Sequence, residues 1–472
     1  MKRLGLAALA GLALAAAASR GAAPDDDPAG ILTGGATTVF ADGRNAFSFP
    51  LATLSDEERT RFAVGNSFFR RNWVEAPSST AARDGLGPHF IARSCGGCHV
   101  QDGRGAPPDA TRRPPEAPVA LLMRLSVPGL GEHGGVRPEP VYGDQFNPAA
   151  VPGVRPEGRV TIRVEPVAGR FADGTRYRLM RPVYGFAELG YGPMAADVLV
   201  GPRIAPQLAG VGLLEAIPEA EILKNAADQA AAGGPVRGQP NRVWDDLAGE
   251  RRLGRFGWKA NVATLAQQTA GAFVGDIGIT SARHPQPPCT AAQADCRAAP
   301  GGGRDGGPEI DERTLGDVVF YQAMLAPAAR RRADDPRVQR GQALFHAAGC
   351  AACHRPSYVT GESPFPALAS PKLAGQRIHP YTDLLLHDLG EGLADGRPDF
   401  QASGRQWKTP PLWGLGLIRG VNGHQRLLHD GRADGVLEAV LWHGGEAEPA
   451  RQHVLRLNRA ERDALVRFVE SL

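Results

Sequence analysis

The stretch Ser94-Cys95-Gly-Gly-Cys98-His99 decides the character of this chain, because its pattern of two cysteines and a histidine returns as Cys350-Ala-Ala-Cys353-His354. At the frequencies of Cys and His in this sequence, one such pattern would arise by chance about 0.002 times per chain. Two copies are therefore not accidental. They predict two equivalent sites, one in each half of the chain.

The spacing within the motif fits covalent attachment of a c-type haem. Two thiols one helical turn apart can each form a thioether with a haem vinyl group, and the adjacent imidazole can ligate the iron. A split zinc site and a thioredoxin-like redox pair also use C-x-x-C, but neither explains a histidine directly after both second cysteines. The sequence therefore predicts two covalently bound haem c groups. The predicted haem-binding residues are Cys95, Cys98, Cys350 and Cys353, which would form the thioethers, and His99 and His354, which would ligate the irons.

The composition excludes several classes of protein. Hydrophobic residues make up 42% and charged residues 22% of the chain, which excludes a disordered or fibrous protein. A net charge of +3 gives no global electrostatic reason to expect nucleic acid or an anionic membrane as a partner. Sixty glycines and 40 prolines predict long ordered loops between short helices.

Residues 1–23 have the features of a secretory signal peptide. Lys2 and Arg3 precede an uncharged apolar run, and small residues continue to Ala23, interrupted only by Arg20. The run is short for a membrane span, so we expect a periplasmic protein without a stable membrane span, with an uncleaved N-terminal anchor as the alternative. Export also suits the remaining cysteines, Cys289 and Cys296, for which we predict a local disulfide.

After the signal peptide, the chain is predicted to form two c-type cytochrome domains. We expect a flexible lead-in over residues 24–50, an N-terminal haem c domain with insertions over 51–330, and a C-terminal cytochrome c domain over 331–472. The predicted fold class is mainly α, with long loops and a β-hairpin inserted in the first domain. The hairpin is predicted to turn at Ala172-Asp-Gly174.

Capping residues locate three of the predicted helices. Ser55 with Glu58, Asp335 before Pro336, and Asn458 with Glu461 each predict a helix N-terminus. The second of these helices leads directly into Cys350, and the third ends the chain. Because Gly341 has no side chain, these two helices are expected to approach each other closely.

Several segments resemble one protein family. Residues 85–105, which include the first motif, look like the first haem segment of the bacterial di-haem cytochrome c peroxidase superfamily. Further segments resemble its di-haem oxidoreductase branch, also called thiol-oxidoreductase-like: 210–218, 254–260, 275–280, 379–388 and 442–446. The resemblance runs from about residue 45 to the C-terminus. It implies an oxidoreductase, with hydrogen peroxide reduced at the first haem and an electron stored at the second.

The resemblance also nominates a distal ligand for the second haem. Residues 409–412, 428–431 and 437–440 resemble the closing part of the superfamily, where a distal ligand, often Met, stands shortly before a Gly. His443 occupies that place here, and bis-His ligation would lower the potential relative to His/Met ligation. The alternatives are a packing role for His443, and ligation by His429, for which a propionate or interface role is favoured.

A peroxidase also needs a distal acid or base that moves the peroxide proton. Glu215 is the candidate, because burial among apolar neighbours would raise its pKa; an ordinary solvated or ion-paired glutamate is the alternative. Several other residues have a possible haem role beside a simpler core role. They are the candidate sixth ligands of the first haem, His133, Met123, Met180 and Met194, and the candidate inter-haem aromatics, Trp258 and Trp413.

Three functions remain open from the sequence. The first is a peroxidase that takes electrons from a small redox protein, either a cytochrome c or a cupredoxin, and reduces hydrogen peroxide or another small oxidant. The second is a di-haem oxidase of ferrous iron, a thiol or a protein side chain. The third is an electron-transfer cytochrome in which both irons are six-coordinate. The sequence also leaves open a calcium ion between the domains and does not fix the oligomeric state.

Overall fold

The computed structural model describes residues 27, 29–80, 82–108, 120–303, 306–363 and 370–472. The predicted signal peptide, residues 1–23, lies outside this set. Within it, the chain forms twelve α-helices, which we number in chain order. Their bounds are α1 Asp56–Arg70, α2 Cys95–Cys98, α3 Val211–Glu215, α4 Glu219–Ala232, α5 Leu265–Ala272, α6 Ala294–Ala298, α7 Glu312–Ala323, α8 Pro336–Ala347, α9 Ile418–Asn422, α10 Val436–Trp442, α11 Glu448–Arg456 and α12 Arg459–Ser471.

The described residues also form sixteen short strands, most of them paired in two-stranded antiparallel ladders. Their bounds are β1 His89–Phe90, β2 Leu121–Leu130, β3 Val136–Arg137, β4 Gln145–Phe146, β5 Ala149–Ala150, β6 Arg159–Arg170, β7 Arg176–Ala187, β8 Leu199–Ile204, β9 Arg242–Asp245, β10 Glu250–Leu253, β11 Tyr358–Val359, β12 Arg377–Ile378, β13 Leu386–Asp388, β14 Gln406–Lys408, β15 Arg426–Leu427 and β16 Ala433–Asp434.

The predicted fold class, mainly α, is wrong. Helix accounts for 31% and strand for 19% of the structure, and the strands are spread over many small sheets. The reason is physical: most ladders are only two to four residues long, so they contain too little alternation to be recognised in a sequence. The largest sheet, with β2 between β3 and β4 and with β8 also paired to β2, lies within residues 51–330, where only long loops and one β-hairpin were expected beside the helices.

The helix starts that the sequence predicts are confirmed. The Ser55 hydroxyl accepts from the Glu58 amide while the Glu58 carboxylate accepts from the Ser55 amide, so α1 begins with a complete capping box. Asn458 and Glu461 form the same box at α12. Asp335 caps α8, whose first residue is proline. These local bonds satisfy backbone amides that have no partner within the helix.

Two pairs of helices cross at a glycine, one pair in each half of the chain. A Cβ on Gly65 of α1 would come within 2.1 Å of the Asp317 carbonyl oxygen of α7. A Cβ on Gly341 of α8 would come within 2.0 Å of the Ala464 carbonyl oxygen of α12, as the sequence predicts. The two cysteine motifs follow α1 and α8 in the chain. Each crossing therefore fixes the helix that precedes a motif.

The hydrophobic core joins the two halves. One buried cluster built mainly on the first half also contains residues of the second half, namely Tyr358, Leu373, Ile378, Leu384, Leu385 and Trp413. The other cluster, built on the second half, includes Phe47 and Phe171 from the first. Phe47 is fully buried, and the Thr33 hydroxyl donates to the Ala328 carbonyl at 2.6 Å. The segment expected to be a flexible lead-in therefore packs between the halves from about residue 31.

The inserted regions of the first half contain a disulfide and the predicted β-hairpin. Cys289 and Cys296 form a disulfide with Cα atoms 5.7 Å apart, which closes the loop before α6. The predicted hairpin is present as β6 and β7, paired over their whole length from Arg159 opposite Ala187 to Arg170 opposite Arg176. Gly174 has a φ of +86°, which only a turn glycine adopts easily.

No helix among the described residues has the length and apolar character needed to cross a bilayer.

Candidate functional site

A continuous cavity of about 870 Å³ connects the two cysteine motifs. Cys95, Cys98 and His99 line it at one end, and His354 and His443 line it at the other. Its walls come from both halves of the chain, because the second-half loops around β14 and α10 face the first-half loops around β8 and α5. The residues that the two motifs nominate are thus brought to one interior space.

The first motif forms a single helical turn. The His99 amide donates to the Cys95 carbonyl at 2.9 Å, which holds the two cysteines and the histidine on one turn of helix. The Nδ1–H of His99 donates to the Pro206 carbonyl at 2.8 Å. This bond fixes the tautomer and leaves Nε2 as the lone-pair nitrogen available to a metal.

The second motif has the same construction. The His354 amide donates to the Cys350 carbonyl at 2.9 Å, and the His354 Nδ1–H donates to the Tyr381 carbonyl at 3.0 Å. Burial, together with the neighbouring His443, lowers the pKa of His354 to about 4. The imidazole is therefore neutral near pH 7, as an iron ligand must be.

His443 lies directly after α10 and lines the same cavity as His354. Its Nδ1–H donates to the Ala439 carbonyl at 2.6 Å, and burial lowers its pKa. Three cavity histidines therefore share one arrangement, in which a backbone carbonyl holds Nδ1. Two of them are near the second motif and one is in the first.

The residues present fit two haem groups. The four motif cysteines are thiols and form no disulfide within the described structure. The cavity also contains polar atoms that are buried and have no hydrogen-bond partner among the described residues, including Arg397 Nε and His429 Nε2. Each haem carries two carboxylate-bearing arms, and buried nitrogen donors of this kind are what such carboxylates require.

Lys408 adds a further cation to the same wall. It lies at the end of β14 and lines the cavity, and no ion pair to its ammonium is formed within the described part of the chain. Burial lowers its pKa to about 8. The charge of Asp383 opposes this shift only in part, so an acidic group in the cavity would find a positive charge whose desolvation is incompletely compensated.

Glu215, the predicted acid or base, does not line the cavity. It is the last residue of α3, and its carboxylate accepts from the Leu265 amide at the start of α5 at 3.0 Å. Burial raises its pKa to about 7, although the Leu265 amide and the Arg255 charge oppose the shift. Its neighbours Leu214 and Leu265 do line the cavity, so Glu215 stands one layer behind the wall.

Asp276 is a cavity carboxylate that the sequence analysis did not single out. It lies in a single π-helical turn, Phe273–Ile277, and its side chain accepts from Gln145 Nε2 at 2.9 Å. Burial raises its pKa. Burial, and then the negative charge of Asp276, raise the pKa of both Cys95 and Cys98, which indicates how near the carboxylate lies to the first motif. Its place in the family-like segment 275–280 is the one sequence signal that pointed to Asp276; the π-helical turn, a feature common at functional sites, is visible only in the structure.

Of the other side chains that the sequence analysis proposed for a haem role, some line the cavity and the rest lie outside it. The candidate sixth ligands Met123, Met180 and Met194 do not line the cavity, and His133 stacks on Trp244 outside it. Trp258 lines the cavity and donates from Nε1 to the Ile204 carbonyl at 2.9 Å. Trp413 is fully buried in the core and does not line the cavity. His429 lines the cavity and stacks on Trp407 with ring centroids 3.7 Å apart.

A buried charge cluster beside the second motif also escaped the sequence analysis. His387 donates to Glu446 at 2.7 Å and to Asp383 at 2.8 Å, and its Nδ1 lies 3.6 Å from Cys353 Sγ. Burial opposes protonation, but the two carboxylates outweigh it and raise the pKa of His387 to about 12. Both ring nitrogens are thus occupied by ion pairs.

Within the described residues, the one group with metal-ligand spacing is Cys353, Asp383 and His387. Calcium prefers oxygen ligands only, so a set with a thiol and an imidazole does not fit it.

A comparison with known protein families gives a match over most of the chain. The chain matches the family described as "Di-haem oxidoreductase, putative peroxidase" over residues 30–146 and 190–472. No curated protein sequence matches it.

Among solved structures, the chain is similar to a Kuenenia stuttgartiensis hydrazine synthase pressurised with 20 bar xenon. The two share 18% identity, with a TM-score of 0.22. The similarity covers 39% of this chain and 63% of that one, which is less than two thirds of its length.

The family resemblance drawn from the motifs is confirmed, since the matched residues make up well over half of the sequence and include both motifs, Asp276 and His443. The chain belongs to the di-haem oxidoreductase family and is an enzyme.

Proposed function

We propose that the protein is a periplasmic di-haem peroxidase that reduces hydrogen peroxide at the first haem site and stores an electron at the second. The observation that carries the proposal is that the imidazoles fixed by backbone carbonyls are divided unequally: one belongs to the first motif and two lie near the second. Three cavity histidines have Nδ1 fixed by a backbone carbonyl, and two haem irons would share these three imidazoles. If His354 and His443 both ligate the second iron, the first retains His99 as its protein ligand and keeps a position for substrate.

The cysteines and histidines would hold the groups as follows. Cys95 and Cys98 would form the thioethers of the first haem, and Cys350 and Cys353 those of the second. When bound, the haem irons supply the one-electron chemistry by which hydrogen peroxide, two electrons and two protons become two water molecules. The fixed Nδ1–H bonds orient each ligating ring before the cofactor arrives.

Asp276 is the carboxylate best placed to move a proton. It lines the cavity close to the first motif, and its amide partner Gln145 fixes its orientation. Burial raises the pKa of Asp276, which moves it towards the range in which a carboxyl can act as a general acid or base. Glu215 remains the sequence-based candidate, and its position one layer behind the wall makes direct contact with a substrate less favourable.

Buried cations would position the acidic arms of the cofactors. Arg397 has a side chain only 2% exposed and donates to Asp399 at 3.1 Å, while its Nε has no described partner. Lys408 and His429 present further nitrogen atoms to the same space. This supports the propionate role favoured for His429.

The remaining expectations belong to the same proposal. The apolar N-terminus over residues 1–23 would direct export, and the disulfide between Cys289 and Cys296 suits an oxidising compartment. The haem-bearing units would be residues 51–330 and 331–472, and the donor a small cytochrome c or cupredoxin.

Electron paramagnetic resonance of the oxidised, haem-loaded protein tests the proposal. We expect one high-spin and one low-spin ferric signal, and we expect His443→Ala to convert the low-spin signal to high spin. His429→Ala is the matched control, because His429 lines the same cavity and lacks the Nδ1 carbonyl bond; it should leave both signals in place. Two low-spin signals that His443→Ala does not change, and that peroxide does not alter, would contradict the proposal and favour an electron carrier.

A further inference from the structure

The β6–β7 hairpin differs from the rest of the chain in its charge and in its lack of a match to the family model. It falls in residues 147–189, which the family model does not match. Residues 159–187 contain six arginines and two acidic residues, whereas the whole chain has a net charge of only +3. The hairpin is therefore a concentrated positive element on a nearly neutral protein, and it lies outside the residues that the family model matches.

The tip of the hairpin is fixed to the C-terminal half. Phe171 is buried against it, and the Arg462 guanidinium of α12 lies 3.9 Å from the centre of the Phe171 ring. Arg462 also pairs with Asp173 at 2.9 Å, and the Ala172 amide donates to the Leu455 carbonyl at 2.9 Å. Leu179 joins the same buried cluster as His443's helix α10. The tip, and with it the outer face of the hairpin, is thus fixed to the buried cluster that also contains α10, the helix before His443.

Three arginines share that outer face. Arg170 lies directly opposite Arg176, and Arg178 follows two residues later, so all three project from one side of the hairpin. All three are exposed, and none forms a hydrogen bond or an ion pair with a described residue. In contrast, Arg159 and Arg163 of the same hairpin pair with Glu188 and Glu165.

Stability does not account for this arrangement. Like charges directly opposite each other on neighbouring strands are destabilising. The face continues into exposed apolar surface at Val164, which is 39% exposed, and at Pro166 and Ala168. Arginine is enriched in protein interfaces, and a positive patch steers a negative partner towards it.

We propose that the face formed by Arg170, Arg176 and Arg178 is the docking surface for an acidic electron-donor protein. This inference rests on the proposed function, because it names the surface through which the donor reaches the second haem site. The arginines attract and orient the acidic face of the donor. The apolar strip from Val164 to Ala168 then provides contact area, and the fixed tip places the donor on the C-terminal half.

Stopped-flow electron transfer into the oxidised holoenzyme tests the docking surface without peroxide. The probe is a reduced cupredoxin of negative net charge, and the second probe is a cupredoxin of positive net charge. We expect the triple variant R170E/R176E/R178E to lower the second-order rate constant for the acidic probe at least about tenfold at low ionic strength. The rate for the positively charged probe should not fall, and the salt dependence with the acidic probe should largely disappear.

The matched control carries the same change of charge elsewhere. Arg44, Arg297 and Arg313 are exposed and form no ion pair within the described structure, so R44E/R297E/R313E tests net charge alone. An equal loss in both triple variants, or no loss in the hairpin variant, would overturn the proposal. So would equal rates in the parent at low and high salt. Preferential loss of binding to anionic phospholipid vesicles, with donor rates unchanged, would reassign the face to a membrane surface.

Peroxide turnover with a small-molecule reductant separates this inference from the function on which it rests. If the hairpin variant keeps that turnover but loses the acidic donor, both proposals hold. If the parent shows no peroxide turnover while the donor rates behave as described, the peroxidase proposal fails and the docking surface stands.

Discussion

At the scale of single residues, the two candidate carboxylates make different predictions. Asp276 faces the cavity, whereas Glu215 binds the amide at the start of α5 behind the wall. We expect Asp276→Asn to lower kcat/KM for hydrogen peroxide by about 10²- to 10⁴-fold, which is the range for loss of a general acid or base. Glu215→Gln should stay close to the parent value, because an amide oxygen can still accept from Leu265.

Haem content measured on the same preparations is the control for that comparison. Both variants should contain two haem groups per chain, since neither carboxylate belongs to a cysteine motif. A loss of turnover in Glu215→Gln as large as in Asp276→Asn would restore Glu215 as the acid or base. An unchanged Asp276→Asn would remove Asp276 from the reaction.

At the scale of helices and strands, the two glycine crossings can be tested together. Gly65→Ala and Gly341→Ala would each force a methyl group against a backbone carbonyl of the partner helix. Overpacking of this kind costs about 1–3 kcal/mol or more, so both variants should lower the free energy of unfolding by at least that amount. Thermal and denaturant unfolding measure the effect.

Gly316 provides the matched control for these crossings. It lies in α7, the partner of α1, but a Cβ there would meet only an Arg61 nitrogen at 3.7 Å. Gly316→Ala should therefore be neutral or stabilising by about 0.5–1 kcal/mol, the ordinary effect of replacing a helical glycine. Destabilisation of all three variants to the same extent would show that helix propensity, and not close packing, dominates.

The sequence predicts elements well where the signal is local. The cysteine motifs, the capping boxes at Ser55 and Asn458 and the hairpin turn at Gly174 each depend on residues a few positions apart. The two- and three-residue ladders could not be predicted, because their pairing partners are distant in the chain and their periodicity is too short. The sequence also could not distinguish Glu215 from Asp276, because tertiary packing decides which side chains face a cavity.

The candidate sixth ligands of the haem irons also show that tertiary packing cannot be predicted from local sequence. His443 reaches the cavity as the family resemblance implies, but Met123 and Met180 are kept from it by the sheet and the hairpin that contain them. Met194 lies in the loop between β7 and β8 and does not line the cavity either. A methionine in a strand can face either side, and the choice depends on which side the rest of the chain covers. The spacing within the cysteine motifs predicts the residues that attach the haem groups, whereas the remaining ligand positions can be identified only from the tertiary structure.

At the scale of the whole molecule, the shared core predicts how the enzyme unfolds. Two separate cytochrome domains would melt independently, but here residues such as Leu384 and Trp413 of the second half are buried in the cluster of the first. Phe47 and Phe171 cross in the other direction. The cavity that receives both motifs is also continuous. Loss of either half would expose apolar surface of the other, so the two halves should unfold as one cooperative unit.

Scanning calorimetry of the holoenzyme tests this with one variant in each half. Phe273 and Phe468 are both fully buried, one in each cluster, and truncation to alanine should cost about 3–5 kcal/mol at either position. We expect a single transition in the parent, and we expect Phe273→Ala and Phe468→Ala to move that same transition to lower temperature. Two resolved transitions, each moved by only one of the variants, would contradict the shared core. The halves would then be independent domains that merely enclose a common cavity.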